Sequence, residues 1–143
     1  MTVKALSPNV SVSSQISVEE AAAARHEGFR SIIGNRPDGE EPGQPSWAEI
    51  ETAAKAAGLE TRHIPVTLEM IDRAAVAEFA QALETLPKPV LAYCRSGRRS
   101  AVLWALSNNG SLTAEERIRT GKRAGFDFEP LRERMEGSAP GGE

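Results

Sequence analysis

The chain is almost without cysteine, with a single thiol, Cys94, in 143 residues. One cysteine excludes an intramolecular disulfide and any metal site built from several cysteines, and it fits a reducing, cytoplasmic setting. Aromatic side chains are scarce too, at one Tyr, two Trp and four Phe, so the core must come mainly from aliphatic residues and alanine. No stretch approaches the ~20 apolar residues of a membrane span, and no membrane partner is expected. Met1 to Ser17 lacks a basic start followed by an apolar run, so no secretory leader is expected. Neither sign of charge dominates. A net charge of −3 argues against nucleic acid as the main partner. No metal and no cofactor is implied.

The length suits one domain, expected over residues 1–136, with 137–143 as a small, polar, disordered tail. There is no internal repeat. Val10 to Gln15 alternates as a first strand. Ser17 and Glu20 form a capping box that opens a helix through the alanines 21–24, stopped by Gly28. Phe29 to Ile33 reads as the second strand. A loop dense in Gly, Pro and Asp follows, from Gly34 to Pro45. Ser46 and Glu49 make a second capping box, for a helix that runs to Gly58. Glu60 to Val66 is the third strand. Ile71, Ala75, Val76, Phe79, Leu83 and Leu86 fall at helical spacing, and Pro87 ends that helix. Pro89 to Tyr93 is the fourth strand. A helix then leads to Asn109-Gly110. Thr113 and Glu116 box a further helix that ends near Gly125, and a short one covers about Phe128 to Met135. Strands alternating with helices predict an α/β fold, three layers deep, around a mainly parallel sheet of four or five strands. Ligands in such sheets bind beyond the carboxyl ends of the strands. The segments after Ile33, after Val66 and after Tyr93 are therefore expected to meet.

Chemistry concentrates in Cys94-Arg95-Ser96-Gly97-Arg98-Arg99-Ser100. The thiol sits where a buried strand turns into a helix. A helix N-terminus offers unpaired N–H groups and partial positive charge, which favour an anion. The same field and the nearby guanidiniums favour a thiolate. Gly97 supplies the freedom at positive φ that a loop aiming its N–H groups inward needs. Arg99 is suited to fork onto an anion's oxygens. Ser100 is placed to donate to the thiolate. Arg95, Ser96 and Arg98 complete the anion cradle, with Arg98 at its rim. A lone cysteine by itself reads as a small buried hydrophobe, but this neighbourhood points to a nucleophile. Trp104 reads as core and Trp47 as a first-turn packing residue. His63 reads as a packing residue, with a Cys–His pair as the alternative.

This loop resembles the active-site loops of two enzyme groups. Protein tyrosine and dual-specificity phosphatases place five residues between Cys and Arg. Rhodanese-type sulfurtransferases place four, as here between Cys94 and Arg99. Over about Leu6 to Met135 the chain is similar to the bacterial beta-lactamase hydrolase-like protein, phosphatase-like domain family. The resemblance rests on the segments 28–45, His63-Ile64-Pro65-Val66 and Tyr93 to Ser100. It implies a dual-specificity-phosphatase fold, and relatives have been described both as phosphatases and as sulfurtransferases. It also implies that Arg36 makes a second anion contact and that Asp38 or Glu40 orients an arginine of the cysteine loop. The alternative for that segment is a turn with solvated charges. Phosphatases of this kind carry an acidic residue after the third strand. Glu69 is the available substitute, and Asp72 reads as a first-turn acid of the next helix.

Three readings follow. In the first, Cys94 takes a sulfur atom from thiosulfate or a persulfide and passes it to an acceptor thiol or cyanide. Sulfite leaves without protonation, so no acid is needed, and the four-residue spacing agrees. In the alternative, Cys94 forms a phosphocysteine from a phosphorylated substrate, Arg99 holds the phosphate, and Glu69 or Asp38 is the acid. The third is a non-enzymatic sensor of anions or persulfides.

Overall fold

The structure is a computed structural model that describes residues 1–107 and 112–137. Five strands form one sheet: β1 (Val3–Ser7), β2 (Val10–Ser13), β3 (Ser31–Gly34), β4 (Glu60–His63) and β5 (Val90–Tyr93), in the order β1-β2-β5-β3-β4. β1 is antiparallel to β2, and every other pairing is parallel. The apolar run before the cysteine becomes β5, with all four residues buried. A strand covered on both faces has this composition. Its period of two sends Val90 and Ala92 into one core cluster and Leu91 and Tyr93 into the other.

Helices α1 (Val18–Ala23) and α2 (Trp47–Ala56) cover one face, around Ile16, Ile32, Ile50 and Leu91. Helices α3 (Arg73–Thr85), α4 (Arg98–Ser107), α5 (Ala114–Ala124) and α6 (Arg132–Gly137) cover the other, around Phe79, Leu83, Leu103 and Phe128. The three-layer α/β arrangement expected from the sequence is the one observed. All three capping boxes form, at Ser17/Glu20, Ser46/Glu49 and Thr113/Glu116. Each such cap is worth about 1 kcal/mol.

Several boundaries differ from the sequence reading. β1 was not expected. It is an edge strand with three of its five residues exposed, so burial leaves little trace in its composition. β3 begins at Ser31 instead of Phe29, whose side chain packs with the cluster under α1 and α2. β4 stops at His63, short of the Val66 that was expected. The chain stays beside β3 through bonds from Ile64 N to Gly34 O (2.9 Å) and from Val66 N to Asn35 O (3.0 Å). α3 starts at Arg73, since Asp72 is its N-cap and accepts from Ala75 N at 2.9 Å. The last helix splits into a 3₁₀ turn at Glu129–Leu131 and α6, which takes in Gly137. The expected helix stop at Asn109-Gly110 and the tail at 138–143 lie outside the described residues. Among the described residues no helix is long and apolar enough to cross a membrane.

Gly121 shows how tightly the second face is filled. A Cβ there would lie 2.3 Å from Cδ2 of Phe128, whose ring is 1% exposed and stacks on Phe126. Gly121→Ala gains about 1 kcal/mol of helix propensity, but the ring has nowhere to go and overpacking costs about 1–3 kcal/mol. The variant should unfold at lower urea than the wild type. Equal or higher urea midpoints would show that α5 and α6 are free to separate.

Candidate active site

β5 delivers Cys94 to the carboxyl end of the sheet, where its side chain is fully buried at the base of the loop. Two bonds tie the loop to the end of β2, from Cys94 N to Ser13 O (3.3 Å) and from Gln15 N to Arg95 O (3.2 Å). Gly97 turns at φ +94°, where L side chains are strained. A Cβ would also approach the Ser13 carbonyl carbon at 3.4 Å. That turn lets Gly97 N donate to Cys94 Sγ at 3.1 Å. Ala101 N donates back to Gly97 O at 2.9 Å, which opens α4 directly behind the sulfur. Arg95, Ser96 and Arg98 ring the loop as exposed residues.

Arginines and carboxylates then interlock. Arg99 NH1 and NH2 grip the two oxygens of Glu40 at 2.8 and 2.9 Å, and NH1 also donates to Val66 O at 2.9 Å. Glu40 Oε1 accepts from Arg36 Nε at 2.8 Å as well. Glu41 takes Arg36 NH2 at 2.7 Å and Arg95 NH2 at 3.3 Å. Arg99 first, and Arg36 after it, hold the Glu40 carboxyl at a pKa of about 2. In return Glu40 is the main reason the Arg99 pKa is raised. Three guanidiniums face two carboxylates in this network. One positive charge is left over and exposed Arg98 adds another, a balance that suits an anionic ligand.

The three segments expected to meet do so: Arg99 of the cysteine loop touches Glu40 of the loop after β3 and Val66 of the segment after β4. Three individual roles change. The Ser100 hydroxyl donates to Asn35 Oδ1 at 2.8 Å, so its proton goes there and not to the thiolate. Asn35 is buried and its amide donates to Ile64 O at 2.9 Å, which joins three loop segments through one side chain. The sequence reading places Asn35 at the start of a segment, 35–41, that frames the pocket, but gives it no role of its own. Arg36 is 4% exposed, with Nε, NH1 and NH2 given to Glu40, Gln15 and Glu41. It therefore stands behind the carboxylates instead of contacting an anion. Asp38 accepts from Trp47 N at 2.8 Å and orients α2; Glu40 is the carboxylate that orients an arginine. His63 stacks on Trp47 with ring centroids 4.8 Å apart, the packing role expected of it. Glu69 is exposed on the short turn Leu68–Met70, three residues past the carbonyl that Arg99 holds.

Residues 2–111 match the family described as beta-lactamase hydrolase-like protein, phosphatase-like domain. The chain belongs to that family. A beta-lactamase hydrolase-like protein of Xylella fastidiosa is 36% identical over 130 residues, which covers 90% of this chain and 30% of the relative. One from Agrobacterium fabrum is 34% identical over 86% of this chain and 29% of the relative. The chain thus spans about a third or less of the length of these curated relatives. A candidate phosphatase from Neisseria meningitidis is similar in structure with a TM-score of 0.82 and 35% identity, over 96% of this chain and 99% of that one. Tk-PTP in its active form shares the fold at a TM-score of 0.73 and 21% identity, covering 94% and 96% of the two chains. So does PTPMT1, at 0.73 and 18% over 96% and 97% of the two chains, in a structure that holds PI(5)P. The phosphatase-like fold implied by the family resemblance is the fold observed. These relatives favour the phosphatase alternative over sulfur transfer.

The network makes two predictions. A carboxylate whose pKa is lowered on folding stabilises the fold fully above its ordinary value near 4.5, and that contribution fades as pH falls towards 2. Glu40→Gln should therefore lose stability at pH 6 to 7, and the gap to wild type should close between pH 4.5 and 2. A gap independent of pH would mean the ion pairs contribute nothing. In activity assays Arg99→Ala should abolish turnover, whereas Arg98→Ala should mainly raise KM for an anionic substrate. Similar losses in both would place the wrong arginine over the sulfur.

Proposed function

We propose that this chain is a cysteine-dependent phosphomonoester hydrolase. The observation that carries the reading is the Cys94 sulfur, buried under the Gly97 N–H, with Arg99 clamped in a fixed orientation by Glu40. A preset fork and converging N–H groups suit the equatorial oxygens of a phosphoryl group in its transition state. The Cys94 thiolate attacks phosphorus, an S–P bond forms, and the ester P–O bond breaks. The leaving oxygen takes a proton from Glu69. Water then attacks the phosphocysteine, the S–P bond breaks, and Glu69 takes a proton from that water. Inorganic phosphate and the thiolate result. The family and the Neisseria relative support this reading. The substrate is a phosphate ester whose body lies outside the arginine ring.

Sulfur transfer stays as a second reading because of one feature, the four-residue spacing from Cys94 to Arg99. One sulfane sulfur needs fewer donors than three phosphoryl oxygens. An aryl phosphate assay beside mass spectrometry of thiosulfate-treated protein separates the two. Aryl phosphate turnover that vanishes in Cys94→Ser is the expected result. Glu69→Gln should slow alkyl esters by about 10² or more while sparing esters with acidic leaving groups, because only the former need a proton. A cyanide-labile sulfur adduct on Cys94 without phosphate turnover would replace hydrolysis by sulfur transfer.

A further inference from the structure

A cavity of about 340 Å³ opens at the other end of the sheet, beside Asn9, Val10 and Lys88, where β2 and β5 begin. Cys94 follows the last residue of β5, so the length of that strand separates the two places. The walls are apolar, formed by Leu6, Leu83, Trp104 and Leu112. Two cations line it, Arg117 and Lys88, and no carboxylate of the described residues does.

Arg117 is the unusual member. It is 4% exposed. Its NH1 donates to Ala105 O near the end of α4, and its Nε donates to Thr113 O at 3.4 Å. Those bonds engage the Ala105 carbonyl near the C-terminal end of α4, where a cation is favoured, and the carbonyl of Thr113, the N-cap of α5, which also accepts from Arg117 N. They leave NH2 with no acceptor among the described residues, and a full positive charge with no acid beside it. Burial alone pushes its pKa down, with no carboxylate to offset it. A buried charge without a partner is costly. A ligand that carries the missing anion removes that cost. Lys88 sits at the same cavity with its ammonium on the Glu84 and Leu86 carbonyls, at 3.3 and 3.2 Å.

We propose that this cavity is a second ligand site, independent of Cys94, for a small organic carboxylate with an apolar body. The carboxylate meets Arg117, with Lys88 at the rim, and the aliphatic or aromatic body lies against Leu6, Leu83, Trp104 and Leu112. The volume falls in the range of small-molecule pockets, and apolar walls with a few polar anchors are their usual make-up.

Octanoate and 1-octanol test it, since they share a chain and differ in charge. Trp104 lines the cavity and the other tryptophan, Trp47, lies in the first turn of α2. The Trp47→Phe protein therefore reports on the cavity alone. Octanoate should shift Trp104 fluorescence and bind about tenfold or more tightly than octanol, the scale of one charge-assisted hydrogen bond. Arg117→Met should bring octanoate down to the level of octanol, Lys88→Met should weaken it by a smaller factor, and Arg99→Ala should leave it unchanged. Equal affinity for the two probes, or no fluorescence change at millimolar octanoate, overturns the site. So does an octanoate affinity that falls in Arg99→Ala, which would move the binding to the cysteine loop. If circular dichroism shows that Arg117→Met does not fold, Lys88→Met and the octanoate-to-octanol ratio of the parent protein decide in its place.

Discussion

Strand β5 is the constraint on which the rest depends. Its four residues pair with β2 on one side and β3 on the other. Alternate side chains enter the two core clusters, so one short segment joins both helical layers. All four are buried, and a shift of one residue would exchange the two sets between layers. Cys94, the proposed nucleophile, is the next residue. Its position is thus fixed by the part of the chain with the least freedom to slip, which is how a rigid scaffold presents a loop for chemistry.

The site also contradicts a local rule, and the contradiction is informative. Arg98 and Arg99 occupy the first turn of α4, the end of a helix that disfavours cations. Glu40 answers for Arg99. It brings a carboxylate from 59 residues away to that helix end and grips both guanidinium nitrogens. Arg36, buried behind it, keeps Glu40 ionised and in place. An arginine so held is oriented before substrate arrives. The loss of side-chain freedom that a mobile arginine would suffer on binding has already been met in folding. Positive charge at a helix N-terminus is unfavourable until an anion occupies the cradle, and this is the direction a binding site requires.

What was legible in the sequence follows the range of each interaction. The capping boxes at Ser17, Ser46 and Thr113 act over three residues and were readable directly. So were β5, from its continuous apolar run, and the turn at Gly97, from its place between strand and helix. Contacts across the fold were not. That Asp38 caps α2 while Glu40 takes Arg99 depends on the path of a twelve-residue loop, 34–45. Either carboxylate satisfies the sequence pattern. Ser100 sits one residue from Arg99 and six from Cys94, and on spacing alone it faces the sulfur as well as anything else. The helix instead turns its hydroxyl to Asn35, a residue with no motif to mark it. β1 escaped because an edge strand with one buried residue carries almost no periodic signal.

Helix α4 connects the two ends of the sheet. Its ten residues span about 15 Å, and Ser100 through Leu106 are all buried. The N-terminal end faces the sulfur through the Gly97 turn, and a carbonyl near the C-terminal end accepts from buried Arg117. Gly97 N donates to the Cys94 sulfur at the positive end, and the Arg117 guanidinium at the negative end complements the helix dipole. The two contacts therefore hold the same element, one at each end. Both ends are anchored by hydrogen bonds: Cys94 is tied to β2 and Arg117 to the Ala105 and Thr113 carbonyls. A helix buried along most of its length and tied at both ends has little reason to shift when an anion arrives. The chemistry proposed at Cys94 thus rests on preorganisation, and the adaptable parts of the candidate site are the exposed side chains of Arg95, Ser96, Arg98 and Glu69.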